Sequence, residues 1–346
     1  MQRIAFFDTK PYDQKSFDEA DQKYGYEITY FPVHLNEHTV KLTKGFDVVC
    51  VFVNDTMSKP VIDGLVENGV QLIALRCAGY NNVDLKAAYG RLHVVRVPAY
   101  SPHAVAEHAV ALMMSLNRKV HKAYHRVRDG NFSINGFLGF DMYGKQAGVV
   151  GTGKIGKCLA LILKGFGMKV VLSDKSPDKD FAREHGLKYV DLKHLYAQSD
   201  IISLNCPLTP ETQHMINKTT IAQMKPGVMI INTGRGKLID TKALIGGLKT
   251  GRIGAAGLDV YEEESEYFFE DFSSSVIGDD VLARLMTFPN VLITSHQGFF
   301  TQEALHNIAS TTLENIKDFF TVKAMANEVC YRCGKTCRRK KGRKCF

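Results

Sequence analysis

Residues 146–174 read QAGVVGTGKIGKCLALILKGFGMKVVLSD. An apolar strand leads into Gly151, Gly153 and Gly156, and an amphipathic helix and a second apolar strand follow. In such a turn one glycine permits the tight bend, one lets the backbone approach a pyrophosphate, and one lets the helix pack on the strand. The N-terminus of the helix offers free N–H groups and a partial positive charge to the phosphates. The segment therefore predicts a Rossmann unit that binds a dinucleotide.

The second strand of this segment ends at Asp174, 18 residues after Gly156. A carboxylate at this position accepts hydrogen bonds from the adenosine ribose and repels a 2′-phosphate, which predicts NAD rather than NADP as the cofactor. The neighbouring Lys175 weakens that repulsion slightly. A glycine-rich packing turn in an unrelated α/β domain is the alternative, but the register of strand, helix and terminal acid disfavours it.

The composition is that of an ordinary globular protein. The chain has 346 residues, enough for two domains, and is 45% hydrophobic and 23% charged. It contains no apolar run near the roughly 20 residues of a membrane span. We interpret the N-terminal MQRIAFFDTK as a first strand and not a signal peptide, which predicts a cytoplasmic location.

The positive charge is concentrated in residues 328–346, EVCYRCGKTCRRKKGRKCF. Eight Lys/Arg against one Glu give this segment +7 of the formal net charge of +8. The body of the chain is thus nearly neutral, and no specific nucleic acid is expected. Four cysteines crowd the segment (Cys330, Cys333, Cys337 and Cys345), but too little chain separates them to build a zinc fold. We predict a disordered basic tail and no metal.

The first hundred residues alternate strands with helical segments, which is typical of a doubly wound parallel sheet. The predicted strands are Arg3–Asp8, Glu27–Phe31, Asp47–Phe52, Gln71–Arg76 and His93–Val97. Ser101 and Pro102 then begin a helix. Its histidines and acid, His103, Glu107 and His108, are predicted to pack or to face solvent instead of binding a metal.

A second alternating series follows the glycine turn. Its predicted strands are Ala147–Val150, Lys169–Ser173, Asp200–Asn205, Val228–Asn232, Ala256–Asp259 and Val291–Thr294. A last helix near Thr301–Phe320 is expected to return to the first domain and make that domain discontinuous. The predicted architecture is α/β with two doubly wound parallel-sheet domains, a flavodoxin-like substrate domain (1–99 plus 299–327) and a Rossmann NAD domain (100–298), with an interdomain cleft as the expected site.

Three chemically useful side chains follow separate predicted strands of the second series: Arg235, Glu264 and His296. Ligands gather beyond the carboxyl ends of parallel strands. An arginine offers a planar fork to a carboxylate, a histidine exchanges a proton with a carbonyl oxygen as hydride reaches carbon, and a paired glutamate fixes the imidazole. The set suits hydride transfer to a 2-oxo acid. A solvated acidic loop at Glu262–Glu264 is the alternative for the glutamate.

Six ordered motifs add a family resemblance. They are RCAGYNNVDL (76–85), PAYSPHAVAEHAVALMM (98–114), GVVGTGKIG (148–156), NTGRGKLID (232–240), GLDVYEEE (257–264) and TSHQGFFT (294–301). Together they resemble the D-isomer-specific 2-hydroxyacid dehydrogenases, most closely the bacterial NAD-dependent D-lactate dehydrogenases, over residues 1–327. The resemblance implies an enzyme that reduces pyruvate to D-lactate with NADH, and a homo-oligomer built through the NAD domain.

The resemblance also implies roles for individual residues. Arg235 would bind substrate, Glu264 would be the carboxylate partner, and His296 would be the acid and base. The implied cofactor contacts are Gly151, Gly153, Ile155, Gly156, Asp174, Cys206, Pro207, Thr233 and Asp259. The implied substrate contacts are the amides of Cys77, Ala78 and Gly79 with the side chains of Phe52, Tyr100, Arg235 and Phe299. Close relatives usually have Asn where this chain has Thr212, which puts that minor cofactor contact in question.

Two alternatives remain beside this function. A broader D-2-hydroxyacid dehydrogenase would accept larger 2-oxo acids, although aromatic pocket walls favour a small one. An NAD-sensing interaction protein similar to transcriptional corepressors would retain the same three residues without turning over pyruvate.

Overall fold

The computed structural model describes residues 1–263, 267–321 and 325–332. Two compact units divide the chain: Met1–Ser101 together with the chain from Phe300 onward, and Pro102–Phe299. Each unit combines a sheet with helices and is of the α/β class, as the sequence predicts. None of the helices in the described part is both long and apolar enough to cross a membrane.

The first unit is built on a six-stranded sheet of order β13-β5-β4-β3-β1-β2. Its strands are β1 (Arg3–Phe6), β2 (Glu27–Tyr30), β3 (Val48–Val51), β4 (Leu72–Leu75), β5 (His93–Arg96) and β13 (Glu328–Val329). Its helices are α1 (Pro11–Asp21), α2 (Lys59–Glu67), α3 (Leu85–Ala88) and α12 (Gln302–Thr321). The parallel order β2-β1-β3-β4-β5 is that of flavodoxin, which confirms the predicted fold class.

The chain after residue 327 does not begin as a disordered tail. Glu328 and Val329 form β13, which pairs antiparallel with β5 opposite Val95 and Val94. The Glu328 side chain is buried and lies 2.5 Å from the imidazole Nδ1 of His93. The predicted boundary was wrong here because a two-residue strand has no sequence pattern of its own. Of the four tail cysteines, Cys333, Cys337 and Cys345 lie outside the described residues, whereas Cys330 is buried.

The second unit holds a seven-stranded parallel sheet of order β12-β11-β10-β9-β6-β7-β8. Its strands are β6 (Gln146–Val150), β7 (Lys169–Ser173), β8 (Lys188–Tyr189), β9 (Ile201–Leu204), β10 (Val228–Asn232), β11 (Ile253–Leu258) and β12 (Val291–Ile293). Its helices are α4 (Pro102–Arg118), α5 (Val120–Arg128), α6 (Lys154–Gly165), α7 (Lys179–Glu184), α8 (Leu192–Gln198), α9 (Lys218–Gln223), α10 (Thr241–Lys249) and α11 (Asp280–Met286). This is the Rossmann order, extended by one strand.

The strand order of the second unit decides where a ligand can bind. The chain starts at β6 in the middle of the sheet, proceeds to β7 and β8 on one side, and returns to β9 on the other. The switch point therefore lies between β6 and β9, and the loops that follow these strands diverge there. The strands around it are buried on both faces, as in β9 and β10.

Candidate active site

The glycine turn after β6 has the geometry that dinucleotide binding requires. Gly151 has a φ of 87°, and a Cβ there would lie 2.5 Å from the backbone nitrogen of Cys206. A Cβ on Gly156 would lie 1.9 Å from the carbonyl oxygen of Gly151, so α6 packs on the strand only without one. Gly153 caps α6 and has open space where a Cβ would project. Backbone can thus approach a pyrophosphate at residue 153.

Asp174 lies at the end of β7 beside this turn. Its carboxylate accepts hydrogen bonds from the backbone N–H of Thr152 (2.6 Å) and Ser176 (2.8 Å) and from the Thr152 hydroxyl (3.0 Å). Partial burial alone would raise the pKa of Asp174, but these hydrogen bonds outweigh it and hold the pKa below its ordinary value. The residue is thus an anion next to the place where a ribose would bind.

A cavity of about 450 Å³ opens between the ends of β6, β7 and β9. It is lined by Val150, Gly151, Ser173, Asp174, Lys175, Leu192, Cys206, Pro207, Thr209, Glu211, Thr212 and Met215. Four predicted cofactor residues therefore lie together, and Leu192, Thr209 and Met215 are additions that no local motif indicates. Thr212 keeps the shape of its turn, because its hydroxyl accepts from the Thr209 N–H and donates to the Pro207 carbonyl.

Thr233 and Ile155, two further predicted cofactor residues, differ in their surroundings. The Thr233 hydroxyl is buried, and no residue in the described ranges provides it with a hydrogen-bond partner. Such an orphaned group at the end of β10 fits a polar ligand atom. Ile155 packs partly into the core of the unit beside the glycine turn. With the glycine cradle and the cavity, these residues fit NAD.

Arg235 follows β10 on a tight turn that its neighbours hold. The Asn232 side chain accepts from the Gly234 N–H (3.1 Å) and donates to the Arg235 carbonyl (2.9 Å). The Arg235 guanidinium donates to the Gly234 carbonyl at 2.7 Å and is only partly buried. One N–H group of the guanidinium is thus committed to the turn, and among the described residues the other N–H groups remain available for a ligand.

His296 follows β12 in a left-handed backbone conformation, with a φ of 49°. Its N–H donates to the carbonyls of Asp259 (2.8 Å) and Thr294 (3.1 Å). Its ring centroid lies 6.0 Å from that of Phe269. Because β10, β11 and β12 are neighbouring parallel strands, Arg235 and His296 leave the same edge of the sheet two strands apart.

Asp259, predicted as a cofactor contact, has a different environment. Its carboxylate is 1% exposed and accepts from the N–H groups of Gln297 and Gly298 (both 2.8 Å) and from the Thr294 hydroxyl (2.6 Å). Burial alone would raise the pKa of Asp259, but hydrogen bonds, with His108 foremost, keep it below its ordinary value. A carboxylate used in this way holds the segment that carries His296 and has little accessible surface for a cofactor.

Glu264 lies outside the described residues, but the two acidic residues before it, Glu262 and Glu263, have defined partners. Glu262 lies 2.6 Å from the imidazole Nε2 of His214 and accepts from the Thr241 N–H at 2.9 Å. Glu263 forms a longer ion pair with Lys237, at 3.5 Å. Glu262 is therefore a structural residue, and the solvated acidic loop stays an alternative for Glu264.

The strand ends of the first unit contain the other predicted substrate residues. Cys77, Ala78 and Gly79 follow β4, Phe52 follows the adjacent β3, and Tyr100 follows β5. Phe52 and Cys77 are buried, and the Tyr100 carbonyl accepts from Asn307 at 2.7 Å. Phe299, which is also buried, is the last residue of the second unit.

Two arginines that we did not assign from sequence support these loops. Arg96 donates to the Ala78 carbonyl at 2.6 Å, and its guanidinium lies 5.2 Å from the Tyr80 ring centroid. Arg76 is 1% exposed, donates to the Asp8 carbonyl at 2.7 Å, and lies 4.8 Å from the Phe52 ring centroid. The sequence feature that could have identified both residues is an arginine at the end of an otherwise apolar strand, because such a cation must find buried partners.

The fold and the glycine cradle place this chain in the class of Rossmann proteins that bind a dinucleotide. Residues 110–298 match the family model described as D-isomer specific 2-hydroxyacid dehydrogenase, NAD binding domain. The chain belongs to this family, and its cofactor is NAD.

Individual relatives resemble nearly the whole chain. The D-lactate dehydrogenase of Escherichia coli K12 is 52% identical over 328 residues, which cover 94% of this chain and 99% of that protein. An apo structure of D-lactate dehydrogenase from Escherichia coli matches with a TM-score of 0.87 at 50% identity, covering 95% of this chain and all of the other. A structure described as the pyruvate reductase of Chlamydomonas reinhardtii matches with a TM-score of 0.90 at 45% identity, covering 94% and 98%.

Proposed function

We propose that the protein reduces pyruvate to D-lactate with NADH and a proton, and catalyses the reverse oxidation. The observation that carries this proposal is that Arg235 and His296 leave the same sheet edge as the dinucleotide cradle. Relatives described as D-lactate dehydrogenases and a pyruvate reductase, at 45–52% identity over most of the chain, support the choice of substrate.

The chemistry divides among three side chains. NADH, when bound, supplies the hydride for the carbonyl carbon. Arg235 binds the substrate with its guanidinium fork, whose planar N–H pair matches two oxygens. His296 in its charged form donates a proton to the carbonyl oxygen as negative charge develops there, and removes it in the reverse direction. Glu264 would favour that charged form and fix the ring orientation.

The remaining residues would set the size of the substrate. We assign the amides of Cys77–Gly79 to the substrate carboxylate and the rings of Phe52, Tyr100 and Phe299 to its walls. Aromatic walls leave little room beyond a methyl group, and one extra methylene in a tight pocket costs roughly 1–3 kcal/mol. Pyruvate is therefore preferred to branched or aromatic oxo acids.

Steady-state oxidation of NADH with pyruvate, 2-oxoisocaproate and phenylpyruvate tests the proposal, with the enantiomer of the product identified by chiral chromatography. We expect the highest kcat/KM on pyruvate and D-lactate as product. Equal efficiency on all three acids would indicate the broader dehydrogenase instead. No turnover of any acid, with NADH still bound, would indicate the NAD-sensing protein.

Two wider expectations belong to the same proposal. A homo-oligomer through the second unit agrees with a row of exposed apolar side chains on and after α5. The cytoplasmic location stays a prediction from the sequence.

A further inference from the structure

His108 lies on the buried side of α4 and reaches the loop that carries His296. Its imidazole Nε2 is 3.0 Å from the hydroxyl of Thr294 and 3.2 Å from the carboxylate Oδ1 of Asp259. The imidazole side chain is 15% exposed and the carboxylate 1%. The sequence predicted only that His108 packs or faces solvent, whereas it contacts both Asp259, which follows β11, and Thr294, which begins the loop after β12.

The protons of this cluster can be assigned from its geometry. The Thr294 hydroxyl donates its proton to Asp259 Oδ1 at 2.6 Å, so its oxygen can accept from the ring. Nε2 of His108 must therefore carry a hydrogen, which it shares between Thr294 and Asp259. With the N–H groups of Gln297 and Gly298, the buried carboxylate then has four donors.

The loop needs such support because its backbone is strained. A left-handed conformation at a residue other than glycine is unfavourable and persists only when the surroundings enforce it. The φ of 49° at His296 is of this kind. Neighbouring Gly298 packs closely, since a Cβ there would lie 2.9 Å from Asp259 Oδ2 and 3.5 Å from Cδ2 of His108.

We propose that His108 is a positioning residue for His296, which it keeps in its productive orientation through Asp259 and Thr294. The inference rests on the proposed function, since it assumes that His296 transfers the proton. It adds a residue from α4, whereas the glycine cradle follows β6 and the Arg235 turn follows β10. Displacing a reacting group by about 1 Å costs on the order of 100-fold in rate.

His108→Leu and His108→Gln test the proposal in the full chain, with His103→Leu as the control. His103 lies exposed on the same helix, where its imidazole Nε2 is 3.9 Å from the Cys158 thiol. We expect the leucine variant to lose roughly 30- to 100-fold in kcat on pyruvate with an unchanged Kd for NADH. Glutamine places an amide N–H near the position of Nε2 and should restore kcat to within about threefold. Amide exchange over 294–298 should accelerate in His108→Leu alone.

The outcomes separate this inference from the proposed function. If the wild type reduces no oxo acid, the proposed function fails and this inference with it. If the wild type is active and His108→Leu keeps its kcat, only the positioning role of His108 is wrong. If His108→Leu does not fold, Thr294→Val decides the question, because it removes the bridging hydroxyl at constant shape. A wild-type kcat in that variant would overturn the proposal.

Discussion

The Cα of Gly236 packs against the backbone of Tyr261, and a Cβ at residue 236 would lie 1.9 Å from the Tyr261 carbonyl oxygen. This contact joins the turn that holds Arg235 to the segment that leads to Glu264. The Glu262 carboxylate adds two further links, since it accepts from the Thr241 N–H that follows this turn and lies 2.6 Å from Nε2 of His214 in the loop after β9. The placement of Arg235 relative to the segment 261–263 therefore depends on the glycine next to Arg235.

Gly236→Ala should separate these two segments. The added methyl group faces backbone atoms that cannot rotate away, so we expect a loss of about 1–3 kcal/mol in stability and roughly 100-fold in kcat/KM on pyruvate. Gly246→Ala is the matched control, because residue 246 lies in α10 with open space around it. Thermal unfolding and steady-state kinetics measure both effects. Wild-type kinetics in Gly236→Ala would show that the contact does not position Arg235.

Long strands of the fold could be predicted from the sequence because they carry their own pattern. The bounds of β7 and β10 match the predicted residues, since each is a continuous apolar run enriched in Val and Ile. Two-residue β8 and β13 were missed, because pairing with a neighbour that is distant in sequence defines them. Strand β11 begins at Ile253, earlier than expected, because Gly254 permits close packing on Gly227.

In the site, too, the residues that belong to a local sequence pattern could be predicted, whereas those that depend on distant partners could not. The roles of Gly151, Gly153 and Gly156 follow from a local pattern, and each has the space or crowding that its role requires. The environment of Asp259 could not be predicted, because its burial depends on a loop contributed by the next strand. Nor could the contact of His108, whose partner Thr294 lies 186 residues later in the chain. Periodicity places a side chain on a face but does not identify what it meets.

His296→Gln should remove proton transfer while keeping the size of the side chain. We expect kcat to fall by about 10²–10⁴-fold, the usual contribution of general acid–base catalysis, with the Kd for NADH unchanged. His194→Gln, at an exposed histidine of α8, is the control and should behave as wild type. Stopped-flow kinetics and fluorescence titration with NADH measure the two quantities. A loss confined to NADH affinity would contradict the assigned role.

Arg235→Lys keeps a positive charge but removes the fork. One ammonium group cannot bind two oxygens in a plane, so we expect the KM for pyruvate to rise at least tenfold, about 1.4 kcal/mol. Arg252→Lys is the control, because Arg252 precedes β11 at the opposite edge of the sheet and contacts the Met224 carbonyl. Initial rates over a range of pyruvate concentrations measure both. If the KM is unchanged, Arg235 does not bind the substrate.

Asp174→Asn should reduce the selectivity for NADH over NADPH. The amide has no charge to repel a 2′-phosphate, and Lys175 remains beside it, so the ratio of kcat/KM for NADPH to that for NADH should rise at least tenfold. Asp180→Ala is the control, since Asp180 forms an exposed ion pair with Arg183. An unchanged ratio would place the selectivity elsewhere.

The pH dependence of NADH binding tests the same residue independently. Because hydrogen bonds hold the pKa of Asp174 below its ordinary value of 3.8, its carboxylate stays ionised at all higher pH. The acceptor for the ribose is lost only as the pH falls through that lowered pKa. We therefore expect Asp174 to cause no change in the Kd for NADH between pH 5 and 8. Titrations in which Asp174→Asn abolishes a pH dependence within this range would contradict the lowered pKa.

The segment after α5 should carry the oligomer interface. Helix α5 buries no residue, and Phe132, Ile134 and Leu138 are each at least 76% exposed. The segment is nevertheless ordered, since Arg126 donates to two of its carbonyls and Asn117 pairs with both backbone groups of Phe140. Several large apolar side chains exposed on one ordered segment are typical of a protein interface.

We therefore expect the wild type to sediment as a dimer or larger species, and the triple variant Phe132→Ser, Ile134→Ser, Leu138→Ser to sediment as a monomer. Loss of three large side chains that the interface would bury should remove several kcal/mol of association energy, at roughly 1.5–3 kcal/mol each. Val276→Ser is the control, because Val276 is 90% exposed and distant in sequence from α5. Analytical ultracentrifugation over a range of concentrations measures the assembly. A triple variant that still forms the wild-type oligomer would place the interface on another surface of the chain.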